Sequence, residues 1–583
     1  MFNFKKYLVL MQTFIAVSSV SAAETPSLPE NLQPAWWKEA VIYQIYPRSF
    51  KDTNGDGVGD LRGIIQQLDY IKSLGVNAIW LNPIYQSPND DNGYDISDYR
   101  QIGKEYGSMA DFDEMLAGMH QRGIKLFMDI VINHSSDEHE WFKQSRSSRD
   151  NPYRDYYHWW PAEKGKPPHR YSFFDENNDA WKYDKQTDSY YLHYFSVKQP
   201  DLNWGNPKLR HELYDMMKFW AKKGVDGFRL DAFQFVYKDP TFPEFPRDYD
   251  KTTDGVIKYH GMGPRVHDYL RELNDEVLTP FNIAAVAEGA GSTFEDAHSL
   301  VDAERKELDI AYHFEGMNIG NSLDGYKLSD FKNVYDRWDK SFAEKGWLSI
   351  FLANHDVARM VSKFGNDDPA YRVASSKLLN TFLLTMRGTI FCYYGDELGM
   401  TNIDMPDISD YKDIAAINGY KAATVHGKDM QRFMLELNLL SRDNARTPMQ
   451  WDNSKHAGFT DGKPWLSANP NYPLINAAKQ QDEKDSVLNY FRQLTQLRSE
   501  NPVLVYGAYD DWLPQDEQLY VYSRELDDQL WLIALNFSDK SLVTPLQGHA
   551  VEKLVLNNLP DNPVAGSELK LSPYQAVILK LKQ

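Results

Sequence analysis

The sequence predicts an α/β fold: a (β/α)8 TIM barrel with a domain inserted after the third strand and a C-terminal antiparallel β-sandwich. Three observations carry that expectation. Eight short apolar runs of strand length alternate with helically spaced segments between residue 41 and about 395. The interval 134–206, after the third run, is too long for a plain connection. Beyond about residue 505 the apolar pattern changes to period two.

The elements follow in chain order. Lys5 and Lys6 precede an apolar run at 7–17, and Ser21-Ala22-Ala23 offers a small-residue cleavage site. Residues 1–23 therefore read as a signal peptide, with a mature start near Glu24 and a periplasmic or secreted product. Barrel strands are expected at 41–46, 78–82, 125–132, 227–231, 283–288, 311–314, 348–353 and 389–394. Helical spacing appears between them, as at 61–74 and 109–122. The barrel then comprises 24–133 and 207–504, with 134–206 as the inserted domain, rich in Tyr, Trp, Asp and Lys. The interval 396–455 is a second long excursion, expected as a lid or wall. In the C-terminal domain, 505–583, two apolar runs flank Asp527-Asp528 and read as a hairpin.

Composition narrows the function. The 583 residues are 42% hydrophobic, enough for a large core, and 14% aromatic, which suits stacking on sugar rings. A net charge of −20 makes nucleic-acid phosphates and anionic membranes poor partners, and the mature chain contains no run long enough to span a membrane. The single cysteine, Cys392, has no partner for an internal disulfide and lies in an apolar run as a small core residue. No residue pattern selects monomer or dimer.

Chemistry concentrates at the strand ends. Asp231 closes Gly-Phe-Arg-Leu-Asp at 227–231, and Glu288 closes Ile-Ala-Ala-Val-Ala-Glu at 283–288. Two carboxylates projecting from one barrel rim can bracket a glycosidic bond. Arg229 and Asp231 are two residues apart on a strand and share a face, so the guanidinium is expected to keep Asp231 ionised, as a nucleophile requires. Glu288 needs a raised pKa to protonate a leaving oxygen. Asp356, in Asn354-His355-Asp356, is placed to hold sugar hydroxyls, and His134 and His355 are neutral donors of the same kind.

These motifs resemble those of the α-amylase superfamily, glycoside hydrolase family 13. The signature regions match at 129–134, 227–231, 286–288 and 354–356. Gln199-Pro-Asp-Leu-Asn203-Trp204 and Asp443-Asn-Ala-Arg446-Thr-Pro-Met-Gln-Trp451 resemble the oligo-1,6-glucosidase and α-glucosidase subgroup. The resemblance implies Asp231 as nucleophile, Glu288 as acid/base and Asp356 as transition-state stabiliser. It implies that Tyr94, Asp95, His134, Arg229 and His355 hold the terminal glucose and that Phe195 and Gln199 line its site. Arg442 and Arg446 are both candidates for a closing contact from the eighth loop. Asp129 is expected to support the rim. The implied activity is a retaining, exo-acting α-glucosidase on small oligosaccharides.

Asp52, Asn54, Asp56 and Asp60 present oxygens at alternating positions of an Asp/Asn/Gly loop, with the Val58 carbonyl among them. Such a set favours a hard cation, Ca2+ first and Mg2+ second. The spacing begins like an EF-hand, but its twelfth position is Gly63, so a calcium sensor is rejected. The resemblance agrees, since similar α-glucosidases hold a structural Ca2+ in this loop.

Linkage preference is read from Ala232. In similar enzymes Val after the nucleophile accompanies α-1,6 activity, and smaller residues or Thr accompany α-1,4. Ala232 therefore points to maltose-type α-1,4 substrates, with an α-1,6-preferring oligo-1,6-glucosidase as the alternative. Similar sucrose isomerases carry Arg-Leu-Asp-Arg-Asp after the sixth strand, where this chain has Gly-Met-Asn-Ile-Gly-Asn-Ser at 316–322. That departure argues against isomerisation and leaves transglucosylation open. A catalytically dead binding subunit with this barrel would lack the three acids, which are present here.

Overall fold

The computed structural model describes residues 32–582, so the expected signal peptide lies outside the described residues. Eight parallel strands form the barrel: β1 (Val41–Ile45), β2 (Ala78–Leu81), β3 (Lys125–Val131), β4 (Gly227–Asp231), β5 (Ala284–Ala287), β6 (Ile310–Ala311), β7 (Ser349–Ile350) and β8 (Thr389–Tyr393). They pair in sequence order, β8 pairs with β1, and a bridge from Ala311 to Leu348 closes β6 onto β7. All eight expected strands are present. Every residue of β2, β4, β5 and β8 is buried, as expected for parallel strands covered on both sides.

Helices follow the predicted spacing with one change. The segment at 61–74 is two helices, α1 (Leu61–Gln66) and α2 (Leu68–Ser73), separated at Gln67, whose ψ of 7° leaves the helical region. Asp60 caps α1 by accepting from the Gly63 amide. The helix α3 (Met109–Gln121) starts in a Ser108/Asp111 capping box, as its sequence suggests.

The insertion after β3 carries a three-stranded antiparallel sheet of Trp159–Pro161, Ser189–Leu192 and Trp181–Asp184. Lys238, on the segment after β4, reaches its base. The buried ammonium lies 2.9 Å from Asp201 and donates to Asn133 at 2.6 Å. The excursion after β8 holds a helical hairpin, Ile414–Val425 and Met430–Leu440. The C-terminal region is two antiparallel sheets, of five and three strands, packed face to face around Leu532, Leu546, Leu569, Leu571 and Val577. Its expected hairpin pairs Leu519–Leu526 with Gln529–Asn536 and turns at Asp527, which adopts φ 52°.

Candidate active site

Register places the two acids side by side. Ala287 of β5 is paired with Leu230 of β4, so Glu288 lies level with Asp231 at the C-terminal rim. Neighbouring strands run about 4.8 Å apart, and level residues of parallel strands point the same way. One row below, Arg229 is level with Asp129 of β3. Its buried guanidinium donates to Asp129 at 2.8 Å and Asp231 at 2.6 Å through Nη1, and to Glu288 and the Tyr312 hydroxyl through Nη2. The Ala232 amide donates to the other Glu288 oxygen at 2.6 Å. Ala232 adopts φ 48°, a left-handed turn that ends β4 and aims this amide at Glu288.

A pocket of about 370 Å³ opens above these acids, lined by Asp91, Tyr94, His134, Phe174, Phe195, Asp231, Ala232, Glu288, His355, Asp356 and Arg442. Gln44 donates to His355 Nδ1 across 2.8 Å, which puts the ring proton on Nε2, facing the Tyr94 hydroxyl at 2.7 Å and Asp356 at 3.1 Å. Burial pushes both His134 and His355 down to about 3, so each is a neutral hydrogen-bonding group.

The carboxylates differ in environment. Burial raises Asp231, the Glu288 charge raises it further, and Arg229 pulls the other way without prevailing. This corrects the expectation that Arg229 alone would hold Asp231 low. Burial also raises Glu288, again against Arg229. Asp129, Asp231 and Glu288 crowd one guanidinium, so the cluster favours keeping a proton. Burial would raise Asp356 too, but the His355 ring and the Arg442, Arg446 and Arg229 guanidiniums hold it well below the usual carboxylate range.

Four predicted residues lie behind the pocket wall. Asp95 does not reach the pocket: its carboxylate accepts from Ser87 and from the Asp90 and Asp91 amides, closing its own loop. Gln199 braces the wall, with its amide 3.1 Å from Asp91 and 3.2 Å from His134. Arg229 works from beneath. Between the two arginines of the eighth loop, Arg442 lines the pocket, whereas Arg446 supports it from behind through the His355 carbonyl and Asp356. Asp129 is buried on Arg229, Tyr94 and Trp80, in the supporting place expected for it.

Two lining residues were missed by the motifs. Asp91 precedes Gly93-Tyr94-Asp95 by two residues and faces Arg442 across 3.6 Å. Burial pushes its carboxyl up to about 7. Phe174, from the inserted domain, lies under the Arg442 guanidinium at 5.1 Å. Asp91 lies in the same loop as Gly93-Tyr94-Asp95, where the sequence does not say which acid faces inward, and nothing local marked Phe174.

In the loop at 52–60, Asp52 accepts from the Asn54, Gly55 and Gly57 amides, Asn54 from the Asp56 amide, Asp56 from the Val58 amide, and Asp60 from Thr53 and Gly63. The donor set is oxygen-only, the chemistry a hard cation takes. Among the described residues no three acidic, His or Cys side chains gather as a metal-binding cluster, and the loop is closed by its own amides.

A model of the alpha-amylase catalytic domain matches residues 44–507. The chain belongs to the alpha-amylase family. Within it, the chain is 48% identical to an oligo-1,6-glucosidase of Parageobacillus thermoglucosidasius over 94% of its own length and all of that protein's. It is 45% identical to the oligo-1,6-glucosidase of Bacillus cereus, with the same coverage. The crystal structure of an isomaltulose synthase from Protaminobacter rubrum superposes with a TM-score of 0.92, at 46% identity, over 94% of this chain and all of that one. This alpha-amylase family member is accordingly a glycoside hydrolase of the α-glucosidase type.

Proposed function

We propose that this enzyme is a retaining, exo-acting α-glucosidase that releases α-glucose from the non-reducing end of short α-glucosides, α-1,6 ahead of α-1,4. One observation carries the reading: Asp231 and Glu288, level on adjacent strands, are bound by the same guanidinium at the floor of one pocket. In the reaction, with the proton kept by the cluster on Glu288, the Asp231 carboxylate attacks the anomeric carbon as the bond to the departing oxygen breaks and Glu288 gives that oxygen its proton. The glucosyl–Asp231 ester is then cleaved by water, whose proton passes to the Glu288 carboxylate. Asp356, held ionised, binds the ring hydroxyls with His134 and His355 and stabilises the positive charge that develops on the ring. Asp91 and Arg442, which face each other in the pocket lining, are placed to bind further hydroxyls of one terminal glucose.

The relatives' names support α-1,6 linkage, whereas Ala232 favours α-1,4 as the second reading. The segment at 316–322 lacks the arginines of similar sucrose isomerases. Maltose, isomaltose and sucrose, followed by NMR for the anomer first released, test the set. Isomaltose cleaved faster than maltose, giving α-glucose, supports the reading. β-Glucose first, or isomaltulose accumulating from sucrose, would overturn it. Ala232→Val should raise the isomaltose-to-maltose ratio; an unchanged ratio removes Ala232 as a determinant.

The loop at 52–60 would hold Ca2+ through Asp52, Asn54, Asp56, Asp60 and the Val58 carbonyl, supplying structural stabilisation only. EDTA should then lower Tm and added Ca2+ restore it; an unchanged Tm together with metal-free protein by elemental analysis would refute the site. The export signal at 1–23 is supported by its composition, and the N-terminal residue of protein recovered outside the cytoplasm tests it.

A further inference from the structure

Glu288 stands between two cavities of opposite character. On one side is the charged pocket described above. On the other is a cavity of about 690 Å³, lined by Phe173, Phe195, Ala232, Gln234, Phe235, Thr253, Ile257, Glu288, Phe314 and Asn318. The two share Phe195, Ala232 and Glu288. If the first holds the terminal glucose, the second receives whatever is bonded to it, so this inference rests on the function proposed above.

The second cavity is mostly apolar. Glu288 is the only charged side chain in its lining, against Asp91, Asp231, Glu288, Asp356 and Arg442 in the glucose pocket. Phe173 and Phe195 stack at 5.4 Å, Phe235 lies 5.7 Å from the first and 6.1 Å from the second, and Phe314 and Ile257 add to the apolar surface. Sugar hydroxyls find partners here only at a few side chains, Thr253, Glu288 and Asn318 among them, whereas an apolar body gains along the whole wall by leaving water. Gln234 lines this cavity but is only 2% exposed.

The geometry points to an apolar alcohol, aryl or alkyl, as a preferred partner of this cavity, both as leaving aglycone and as glucosyl acceptor in place of water. In the transfer step the alcohol oxygen forms the new bond to the anomeric carbon. The bond from that carbon to Asp231 breaks and its electron pair returns to the carboxylate. The alcohol proton passes to the Glu288 carboxylate, which restores the acid for the next cycle. The product is an α-glucoside of the alcohol, and no further reactant is needed.

The test feeds isomaltose to the enzyme with benzyl alcohol or xylose at equal concentration and quantifies free glucose and both transfer products by chromatography. Benzyl alcohol is a suitable probe because its oxygen leaves no more readily than a sugar's. Expected is about ten-fold more benzyl α-glucoside than glucosyl-xylose. Equal transfer, or more to xylose, with glucose still released, overturns this inference alone. No glucose from isomaltose, maltose or benzyl α-glucoside overturns the function proposed above and this inference with it. Phe314→Asn should lower the benzyl-to-xylose ratio about ten-fold, and Phe314→Leu should keep it. Each ratio is read within one variant, so a partly unfolded preparation does not distort it. A ratio unmoved by Phe314→Asn counts against the assignment.

Discussion

Asp231 and Glu288 depend on one guanidinium, and their loss should be correspondingly severe. Asp231→Asn or Glu288→Gln is expected to lower turnover by at least about three orders of magnitude, measured with isomaltose, because each removes a covalent or proton-transfer role. Near-native turnover in either would exclude the assignment. Asp91 makes a separate prediction about stability. Its folded pKa of about 7 stands above the ordinary carboxyl value of 3.8, so the folded state binds this proton more tightly than the unfolded chain does. The resulting stability is full below about pH 4 and is lost as pH rises towards 7, a change of roughly 4 kcal/mol. Asp91→Asn removes that dependence, so its Tm should fall less than the parent's between pH 4 and 8. Equal slopes would show that Asp91 is not the group responsible. The acids were legible because each ends an apolar run of strand length. Asp91 was not, because it sits in a loop whose turns decide whether Asp91 or Asp95 faces the pocket, and hydrogen bonds to the Asp90 and Asp91 amides turn Asp95 away.

At the level of elements, the hairpin after β8 contributes to the pocket from outside the barrel. Asp413 caps its first helix through the Ala415 amide and also binds Arg442, accepting from Nε at 3.0 Å and from Nη2. Asn418, one turn further on, donates to the Phe174 carbonyl at 2.9 Å and so joins the hairpin to the inserted domain. Asp413→Ala should therefore raise KM for isomaltose about ten-fold, with a smaller change in kcat, by loosening Arg442. A change confined to Tm would mean the contact is structural only. The barrel strands were readable from burial on both faces, which yields continuous apolar runs. The hairpin was anticipated only as a lid or wall, because its first helix, Ile414–Val425, carries no single inward apolar stripe. The break at Gln67 was equally silent, since Leu61, Ile64, Leu68 and Ile71 keep helical spacing across it.

Across the whole molecule, buried cations tie the C-terminal sheets to the barrel. Arg498 donates to the carbonyls of Leu384, Met386 and Leu504 through Nη1 and of Gly388 through Nη2, joining the helix at Arg372–Thr385 to the approach to β8 and the segment that enters the C-terminal strands. Burial pushes its guanidinium down to about 9, yet four carbonyls hold it charged at neutral pH. Lys332 reaches across in the same way to the Leu513, Asp516 and Leu519 carbonyls. Arg498→Met would orphan four acceptors and should cost at least about 3 kcal/mol, seen as a lower Tm. An unchanged Tm would mean these carbonyls find other partners. The period-two pattern announced the C-terminal sheets, but their docking was illegible, because a lysine or arginine in a helix looks solvated until the tertiary fold covers it.

In the mechanism proposed here Asp231 carries the sugar between the two steps. A 5-fluoro-α-glucosyl fluoride, which slows release of the ester, should leave one glucosyl adduct per chain, and peptide mass spectrometry should find it on the peptide containing Asp231. An adduct on another carboxylate, or steady turnover with no adduct at any time, would contradict the account.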